Sequence, residues 1–541
     1  MLLPGGLAAD PVVAAPLRGA NPDLAAYVNT SSVGGAAANQ VTSISQFSDV
    51  RPTDWAYQAL ISLTERYGCV AGYPNGTYRG SRSMTRFEAA ALLNACLDRI
   101  TDVTDTLKRM IKEFEKELAI LKGRTDSLEA RVGELVATQF STTTQLSGLA
   151  TFVLGGSNFM GTAVNTGANT VSRRNNTLTG KPQAAVNLPN ATTFNYDLRL
   201  NFDTSFTGRD LLRSVVRGGN FQGSNGSVFG GNPHSLAISE LEVAYEQPAG
   251  DNMMGIYKLF YQFPLGQQVT ATVGPSVGQE DLIALWPSVY PADSILNVMT
   301  VNGAPAAYSK NLGSGAGIWW QNTNWSVSTN YVSTRANDGD TRAFPLGGGI
   351  GTKASGATGS AQVAYQQAQW GVAAIYTYLQ PETPSVPGTT PFTHFAIDHI
   401  PNSATNAIGL SGYWQPYSSG WAPSISTGWG INSTNYSEAQ PAGSLLTSQS
   451  WMVGLQWTDV FSKGNDFGFA VAQPVFATSL TAGRVPDDSN YVWEWWYKVQ
   501  VSNNITLTPA LFYISRPFGQ STPVNQTFSQ LAGLLKTTFS F

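Results

Sequence analysis

The chain is poor in charge, in cysteine, in histidine and in long apolar runs. Of its 541 residues only 12% are charged, two are cysteine and three are histidine, whereas roughly 25% of the residues in soluble proteins are charged. No run of about 18 apolar residues could form a membrane-spanning helix. The net charge of −4 argues against a nucleic-acid partner. These absences argue against an ordinary soluble domain and against a helical membrane protein.

Glycine and aromatic residues are abundant instead. The chain has 54 glycines, 14 tryptophans and 21 tyrosines, and its mean hydropathy is −0.10. In a membrane β-barrel the apolar residues occupy alternate positions, so a sequence average conceals them. The length predicts two or more parts. Residues 1–45 are rich in Ala, Gly, Pro, Asn and Ser, and we interpret them as the remnant of a leader or a disordered linker.

Residues 46–101 predict a small helical domain. Its motifs are Phe47-Ser48-Asp49-Val50, Trp55-Ala56-Tyr57, the turn-rich Gly72-Tyr73-Pro74-Asn75-Gly76 and Thr85-Arg86-Phe87-Glu88. In the last motif Thr85 and Glu88 form a capping box at a helix start. The four motifs in this order resemble the S-layer homology (SLH) domain.

The SLH resemblance implies a cell-wall ligand, often a pyruvylated polysaccharide. It places Arg86 against the acidic sugar, since a guanidinium binds a carboxylate in bidentate fashion, with Trp55, Gly72 and Tyr73 as further candidates. A position in the domain core is the alternative for Trp55. The chain departs from the family in having Phe87 where alanine is usual, and a single repeat where three are usual.

The two cysteines, Cys69 and Cys96, both fall in this domain. A disulfide between them would suit an oxidising periplasm and a thin core. An equally good alternative is that both cysteines are buried as free thiols. Two cysteines without a nearby histidine do not predict a metal site.

Residues 102–140 predict a coiled-coil stalk. Apolar residues recur at alternating spacings of four and three, with leucine or phenylalanine at every d position from Leu107 to Leu135. A parallel arrangement pairs Glu117 with Lys122 and Arg124 with Glu129 between chains. A lone amphipathic helix is the alternative.

Residues 141–541 predict a transmembrane barrel of sixteen antiparallel strands. In 194–203 the alternation is clear: Phe194, Tyr196, Leu198, Leu200 and Phe202 share one face, and polar side chains share the other. The predicted strands begin near residues 143, 192, 236, 253, 267, 308, 324, 358, 369, 406, 421, 448, 466, 490, 504 and 529. Tight turns alternate with long loops, except that 207–234 is long where a short turn is expected. The last strand ends in Phe541, which resembles the insertion signal of bacterial outer-membrane proteins.

The order of SLH domain, coiled coil and barrel resembles cyanobacterial outer-membrane porins with a carbohydrate-selective porin (OprB)-type barrel. The resemblance covers about residues 46–541 and includes the segment 497–509 (YKVQVSNNITLTP). It implies a homotrimer in the outer membrane, with the N-terminal domain in the periplasm, that passes small solutes such as inorganic ions and sugars. A structural membrane-to-wall tether with a closed or very narrow barrel is the alternative.

Selectivity in such a pore depends on its narrowest section. The third outer loop, about 278–306, is predicted to fold inward and to constrict the pore with Glu280, Asp281 and Asp293. The predicted pore-lining residues are Asp197, Arg199, Lys258 and Lys498. For each of these residues the alternative is an ordinary lumen position without a special role in selectivity. Glu280 or Asp281 is expected to make the pore prefer cations.

The sequence gives little support for an enzyme. The chain has no P-loop, and the glycines of 347–351 do not lie between a strand and a helix. His394, Asp398 and His399 are close in sequence, but we expect no metal there. The sequence therefore predicts neither an enzyme nor a cofactor.

Overall fold

A computed structural model describes most of the region from residue 143 onward and short parts before it. The described residues are 43–54, 57–66, 77–78, 112, 143–176, 181–222, 227–231, 234–245, 250, 252–291, 294–342, 346–381, 386–418 and 420–541. The chain divides into two compact units, residues 8–139 and, together with residues 1–7, residues 140–541.

The described part of the first unit is a small apolar cluster at the start of the SLH region. A 3-10 turn, Ile44–Gln46, precedes helix α1, Tyr57–Ile61, which continues as a π-helical turn, Ser62–Arg66. Ile44, Phe47 and Leu60 are buried together. The Glu65 carboxylate accepts hydrogen bonds from the Ile44 amide at 3.2 Å and from the Ser43 hydroxyl at 2.9 Å. These contacts tie the entry segment to the first helix.

Several predictions for this unit fall outside the described residues. They concern the proposed glycan contacts, the two cysteines and nearly all of the stalk: Trp55, Gly72, Tyr73, Arg86, Cys69, Cys96 and residues 102–140 apart from Lys112. They stay predictions. No helix in the described part of the chain is both long enough and apolar enough to span a membrane.

Sixteen antiparallel strands, β1 to β16, close into a barrel within the described residues, as predicted. They are Thr144–Met160, Thr193–Thr204, Leu211–Gly219, Met254–Pro264, Val269–Gly278, Leu312–Gln321, Trp325–Ser333, Ala357–Gln366, Trp370–Leu379, Ser403–Trp414, Ser424–Tyr436, Leu445–Trp457, Asp466–Leu480, Tyr491–Ser502, Ile505–Ser515 and Ser529–Ser540. Strand β16 closes the ring on β1, with Leu535 opposite Leu154. Closure pairs every strand on both sides, so no sheet edge is left open to lipid.

The barrel wall is apolar on its outer face and polar on its inner face, which is the reverse of a soluble protein. Large apolar side chains are exposed on the outside, among them Phe194 (67% exposed), Ile256 (65%) and Leu511 (53%). Polar side chains point inward and are buried, including Asp197, Asn330 and Glu494. A surface that is apolar outside and polar inside suits a barrel in lipid.

Eight connections lie on one rim, and the seven on the other rim are mostly shorter. The eight are named L1 to L8 in chain order: 161–192, 220–253, 279–311, 334–356, 380–402, 437–444, 481–490 and 516–528. L1 contains a small sheet of Val164–Asn165, Thr170–Val171 and Val186–Asn187. L5 contains helix α2, Pro391–Asp398. Short 3-10 turns occupy Val228–Gly230, His234–Ser239, Gln279–Leu282, Asn297–Thr300, Thr481–Gly483 and Gly519–Ser521. Short turns on the rim where the chain enters and leaves the barrel are the outer-membrane pattern.

The third strand was predicted in the wrong place. Fifteen strands begin within four residues of the prediction, the largest difference being Leu312 against 308. The third begins at Leu211, not near 236, and residues 236–245 belong to L2. Their alternation is real, because Leu241 and Val243 are buried, but they form a single bridge, Leu241 with Leu296, in place of a ladder.

The misplaced strand also explains the long connection at 207–234. Strand β3 lies inside it, so the true turn is 205–210. Asp210 closes this turn by accepting hydrogen bonds from the Thr207 amide at 2.8 Å and the Tyr261 hydroxyl at 2.7 Å. These bonds, the one from Tyr261 first, hold the pKa of Asp210 below its ordinary value.

Candidate pore constriction

L3 lies inside the barrel against the inner wall. Its main chain is fixed to serines whose side chains point into the lumen. The Ala284 amide donates to Ser328 Oγ on β7 at 3.0 Å, and the Tyr290 amide donates to Ser426 Oγ on β11 at 2.9 Å. On the way back, the Asn302 carbonyl accepts from Ser411 Oγ on β10 at 2.8 Å. L3 therefore covers the inner wall from β7 to β11 on both its outward and return paths.

Glycines on the wall make room for L3. A Cβ atom on Gly428 would lie 1.8 Å from the Asn302 carbonyl oxygen, and one on Gly454 would lie 2.7 Å from the Tyr290 ring. Heavy atoms in contact stay more than 3 Å apart, so a larger residue at either position would push L3 away from the wall. The small wall residues and the loop fit each other.

The tip of L3 is held by a buried carboxylate on β14. Glu494 is fully buried and accepts from the Tyr290 hydroxyl at 2.8 Å and from the Leu296 amide at 2.6 Å. Trp496 Nε1 donates to the same hydroxyl at 2.8 Å. Burial, together with the Glu494 carboxylate, raises the pKa of Tyr290 well above its ordinary value, so the phenol remains a donor.

The anchor lies almost across the barrel from the root of the loop. L3 leaves from β5, and β14 is seven strands away by the shorter path around the sixteen-stranded ring (β5 through β1 and β16 to β14). L3 therefore reaches from its root on β5 to a strand on the far side of the barrel.

L2 folds inward as well and joins L3. Phe229 packs against Phe512 of β15, and the Ser239 hydroxyl donates to Gln530 of β16 at 2.6 Å. The Glu242 amide donates to the Ile295 carbonyl at 3.0 Å, beside the Leu241–Leu296 bridge. The two loops therefore meet inside the barrel through main-chain hydrogen bonds.

The predicted constriction acids pair directly with a predicted wall cation. Lys258 Nζ is 2.7 Å from Glu280 Oε1 and 2.5 Å from Asp281 Oδ2, and Lys258 and Asp281 are each only 1% exposed. Burial disfavours the charged form of Glu280, but Lys258 holds its pKa below the ordinary value. One cation between two carboxylates leaves a net charge of −1. Asp293 lies outside the described residues.

A second buried cluster groups two guanidiniums around one carboxylate. Arg217 Nε and Nη2 donate to the two carboxylate oxygens of Asp197 at 2.6 and 3.1 Å, and Arg199 lies 3.6 Å from the same carboxylate. The Arg217 guanidinium also stacks over Tyr245 of L2 at 4.4 Å. Arg199 and Arg217 therefore share the Asp197 carboxylate.

Glu242 and Glu240 bring acidic side chains to the junction of the loops. Lys310 Nζ is 2.7 Å from Glu242 Oε2. Burial first, and the Glu242 charge second, raise the pKa of Glu240 to about 8. Glu240 therefore changes charge close to neutral pH.

The structure brings only some of the predicted pore residues together. Lys258, Glu280 and Asp281 form one cluster, and Asp197 and Arg199 belong to another. Lys498 instead pairs with Asp466 near the short-turn end of β14. The main residues that sequence reasoning missed are Arg217, Lys310 and Glu494, plus Glu242, which it assigned to a strand. No alternation marks Arg217, because apolar Leu211 and Val215 fall on the same strand face. Glu494 does carry a signal, since it alternates with Trp493 and Trp495.

Comparison with known proteins gives the family. Residues 104–541 match the family described as carbohydrate-selective porin, OprB family, and residues 46–90 match the S-layer homology domain. The chain belongs to the OprB porin family. It is an outer-membrane porin with an N-terminal SLH domain, and both family and fold point to a channel without enzymatic activity.

Two relatives of this porin that match 94% of its length come from cyanobacteria. An uncharacterized protein of Nostoc sp. (strain PCC 7120) is 33% identical over 94% of this chain and 86% of its own length, and one of Synechocystis sp. (strain PCC 6803) is 31% identical over 94% and 92%. Outer membrane protein SlpA of Deinococcus radiodurans is 34% identical over 20% of this chain and 10% of its own. Among solved structures, OprB of Pseudomonas putida at high pH is 13% identical with a TM-score of 0.47, covering 76% of this chain and 96% of that one.

The two histidines of L5 lie close to Asp398 at the end of helix α2. His394 Nδ1 lies 3.0 Å from Asp398 Oδ2, and the His394 and His399 rings are 5.3 Å apart. Over the described residues, no three His, Cys, Asp or Glu side chains are arranged to hold a metal ion.

Proposed function

We propose that this porin is a passive pore for inorganic ions and small sugars whose narrowest section is built by L2 and L3. The observation that carries the proposal is the pair of loops folded onto the inner wall, fixed by Ser426 and Glu494 and joined at Leu241 and Leu296. Solutes then pass between these loops and the charged wall of β2 to β4.

Conductance tests this passage directly. The full chain is reconstituted into planar bilayers, and ion current is recorded before and after sugars of increasing size are added. Stable ion-conducting steps are expected, with a size limit for sugars. A barrel that passes no current would contradict the proposal and favour the alternative, a structural tether with a closed lumen.

We further propose that Glu280 and Asp281 bias the pore toward cations. Their cluster with Lys258 has one excess negative charge. Glu280 keeps some exposure, whereas Asp281 has almost none, so Glu280 should act on passing ions more strongly. Reduced cation preference is expected for Glu280→Gln and, to a smaller extent, for Asp281→Asn. The exposed Glu438 of L6 provides the control, Glu438→Gln. Unchanged reversal potentials in both variants would refute the assignment.

A tethering role through the SLH domain is the second part of the proposal. The family match supports a cell-wall polysaccharide as ligand, and we assign it to peptidoglycan-linked polymer, with Arg86 at the contact. Co-sedimentation of the full chain with purified sacculi should fall for Arg86→Ala and stay unchanged for Arg335→Ala in L4. Equal co-sedimentation of Arg86→Ala and the unaltered chain would refute the role of Arg86.

We propose a homotrimer held in part by the predicted stalk at 102–140. The heptad pattern and its opposite-sign flanking pairs support a parallel oligomer. Native mass spectrometry in detergent should give three chains, and replacing Leu118 and Leu121 by Lys should weaken the assembly. A monomeric unaltered chain would overturn this proposal.

A further inference from the structure

The outer mouth of the barrel contains a cavity separate from the constriction. It has a volume of about 150 Å³ and lies between L1, helix α2 of L5, and L8. Its lining includes Arg173, Asn175, Gln183, Phe392, Phe395 and Gln520. A space of this size holds several water molecules. It would therefore admit about one small ring and not an extended chain.

The cavity walls are fixed by one buried carboxylate. Asp488 of L7 accepts from the hydroxyls of Thr390 at 2.6 Å and Thr393 at 2.8 Å, which belong to α2 and its cap. It also accepts from the Gln520 amide of L8 at 2.8 Å and from the Ala477 amide of β13 at 2.9 Å. The two walls are thereby held in one geometry, which lowers the entropy cost of binding.

L1 completes the cavity and is also tied down. The Arg174 amide donates to the Ser521 carbonyl of L8 at 2.8 Å. Arg173 Nε donates to the Ala184 carbonyl at 2.8 Å, which orients its guanidinium. The lining is therefore built from three loops that hydrogen bonds hold together.

The lining chemistry matches a ring that carries hydroxyl groups. Asn175 and Gln183 supply amides, which both donate and accept hydrogen bonds, as hydroxyls require. Phe395 supplies an apolar face: its ring stacks on His399 at 5.6 Å and is still 47% exposed. No carboxylate lines the cavity in the described part of the chain, which argues against a cation. Two phenylalanine rings among amides argue against a simple inorganic anion.

We propose that this cavity binds one pyranose ring of a neutral sugar at the pore entrance. The inference rests on the proposed passage of small sugars, for which the cavity would be the first point of contact. Bound sugar would be held close to the lumen without passing the L3 anchor.

The test measures binding separately from conduction. Saturation-transfer NMR on the full chain in detergent, titrated with D-glucose, should give saturable binding in the millimolar range. Phe395→Ala and Gln183→Ala should each weaken it, the loss of the ring by roughly 3- to 10-fold, while Phe395→Tyr retains the ring and should bind like the unaltered chain. The matched control is Phe206→Ala, which removes an exposed ring on the opposite rim. Sorbitol, which offers hydroxyls without a ring, should bind more weakly than glucose.

The outcomes separate this inference from the proposed function. Absent glucose binding, or binding that Phe395→Ala and Gln183→Ala leave unchanged, would overturn the subsite even if the bilayer experiment showed conduction. Saturable binding of acetate or inorganic phosphate without glucose would overturn it too, and would make Arg173 an anion contact. Glucose binding with the expected variant pattern in a non-conducting barrel would support the subsite while the proposed passage failed.

Discussion

Glu494 should decide whether L3 stays on the wall. Hydrogen bonds to a charged group contribute about 1.5–3 kcal/mol each, and Glu494 accepts two from L3, from Tyr290 and Leu296. Glu494→Ala removes both, but it also removes a buried carboxylate that is costly to desolvate, so the net loss is smaller than their sum. A net loss of about 3 kcal/mol would raise the population of detached L3 tips by roughly 100-fold. Glu494→Gln keeps one acceptor and should have an intermediate effect.

Single-channel recording measures this detachment. Because the loop tip would leave the wall intermittently, Glu494→Ala should show an altered open-channel current and more flicker than the unaltered porin, while the barrel still migrates as a folded species in unheated gels. The exposed Glu438 supplies a control with the same loss of charge, Glu438→Gln. If Glu494→Ala had the same current, noise and ion selectivity as the unaltered porin, this would refute the idea that the carboxylate anchors the constriction.

Three further predictions concern the wall and the loop junction. Gly428→Ala should lift L3 and change conductance at a cost of about 1–3 kcal/mol, whereas Gly359→Ala, with open space around its Cβ position, should do neither. Glu240 is neutral below its pKa of about 8 and charged above it, so cation preference should rise through that pH in reversal-potential measurements, and Glu240→Gln should abolish the rise. Asp197→Asn removes the buried negative charge that Arg217 and Arg199 share and should destabilise the barrel by about 3–5 kcal/mol, seen as a lower heat-modification temperature; an unchanged temperature would contradict the pairing.

The sequence was enough to predict the barrel because each strand carries its own evidence. In β14, Trp493 and Trp495 face lipid while Glu494 faces the lumen, an alternation that depends only on the two-residue period of a strand. Strand number and order follow from repeating this local test. The closing pair of β1 and β16 needed only an even strand count and an amphipathic last segment.

The same local test failed where a loop imitates a strand. Residues 236–245 alternate because L2 is extended and lies with one side against the barrel interior, with Leu241 and Val243 buried. Alternation reports a buried and an exposed side, not a hydrogen-bonded ladder. Turn chemistry at Thr207-Gly208-Arg209-Asp210 would have favoured 211–219 as the strand.

The inward position of L3 was predictable from the sequence, but the partners of its acidic side chains were not. Counting strands identifies L3 as the inward loop, and Glu280 and Asp281 follow from its sequence. That Lys258 binds them directly depends on a bulge in β4, between Val215 and Val216 of its partner β3, which no sequence pattern reports. Lys258 neutralises one of the two negative charges of Glu280 and Asp281. The cation selectivity should therefore be weaker than a simple count of the acidic residues suggests.

The way L2 and L3 hold each other argues for a static constriction with a low size limit. L3 is fixed at its root by Lys258, at its tip by Glu494 and between them by the wall serines, while L2 is fixed by Phe229 and Gln530. Any opening motion of one loop must break the main-chain bonds at Leu241 and Leu296 or drag the other loop from its own wall. Because these contacts lie on different strands around the ring, they resist displacement in every direction across the lumen. The passage between the loops and the β2–β4 wall should therefore keep its width as solutes pass, and exclusion by size should be sharp, not gradual, in a series of sugars of increasing length.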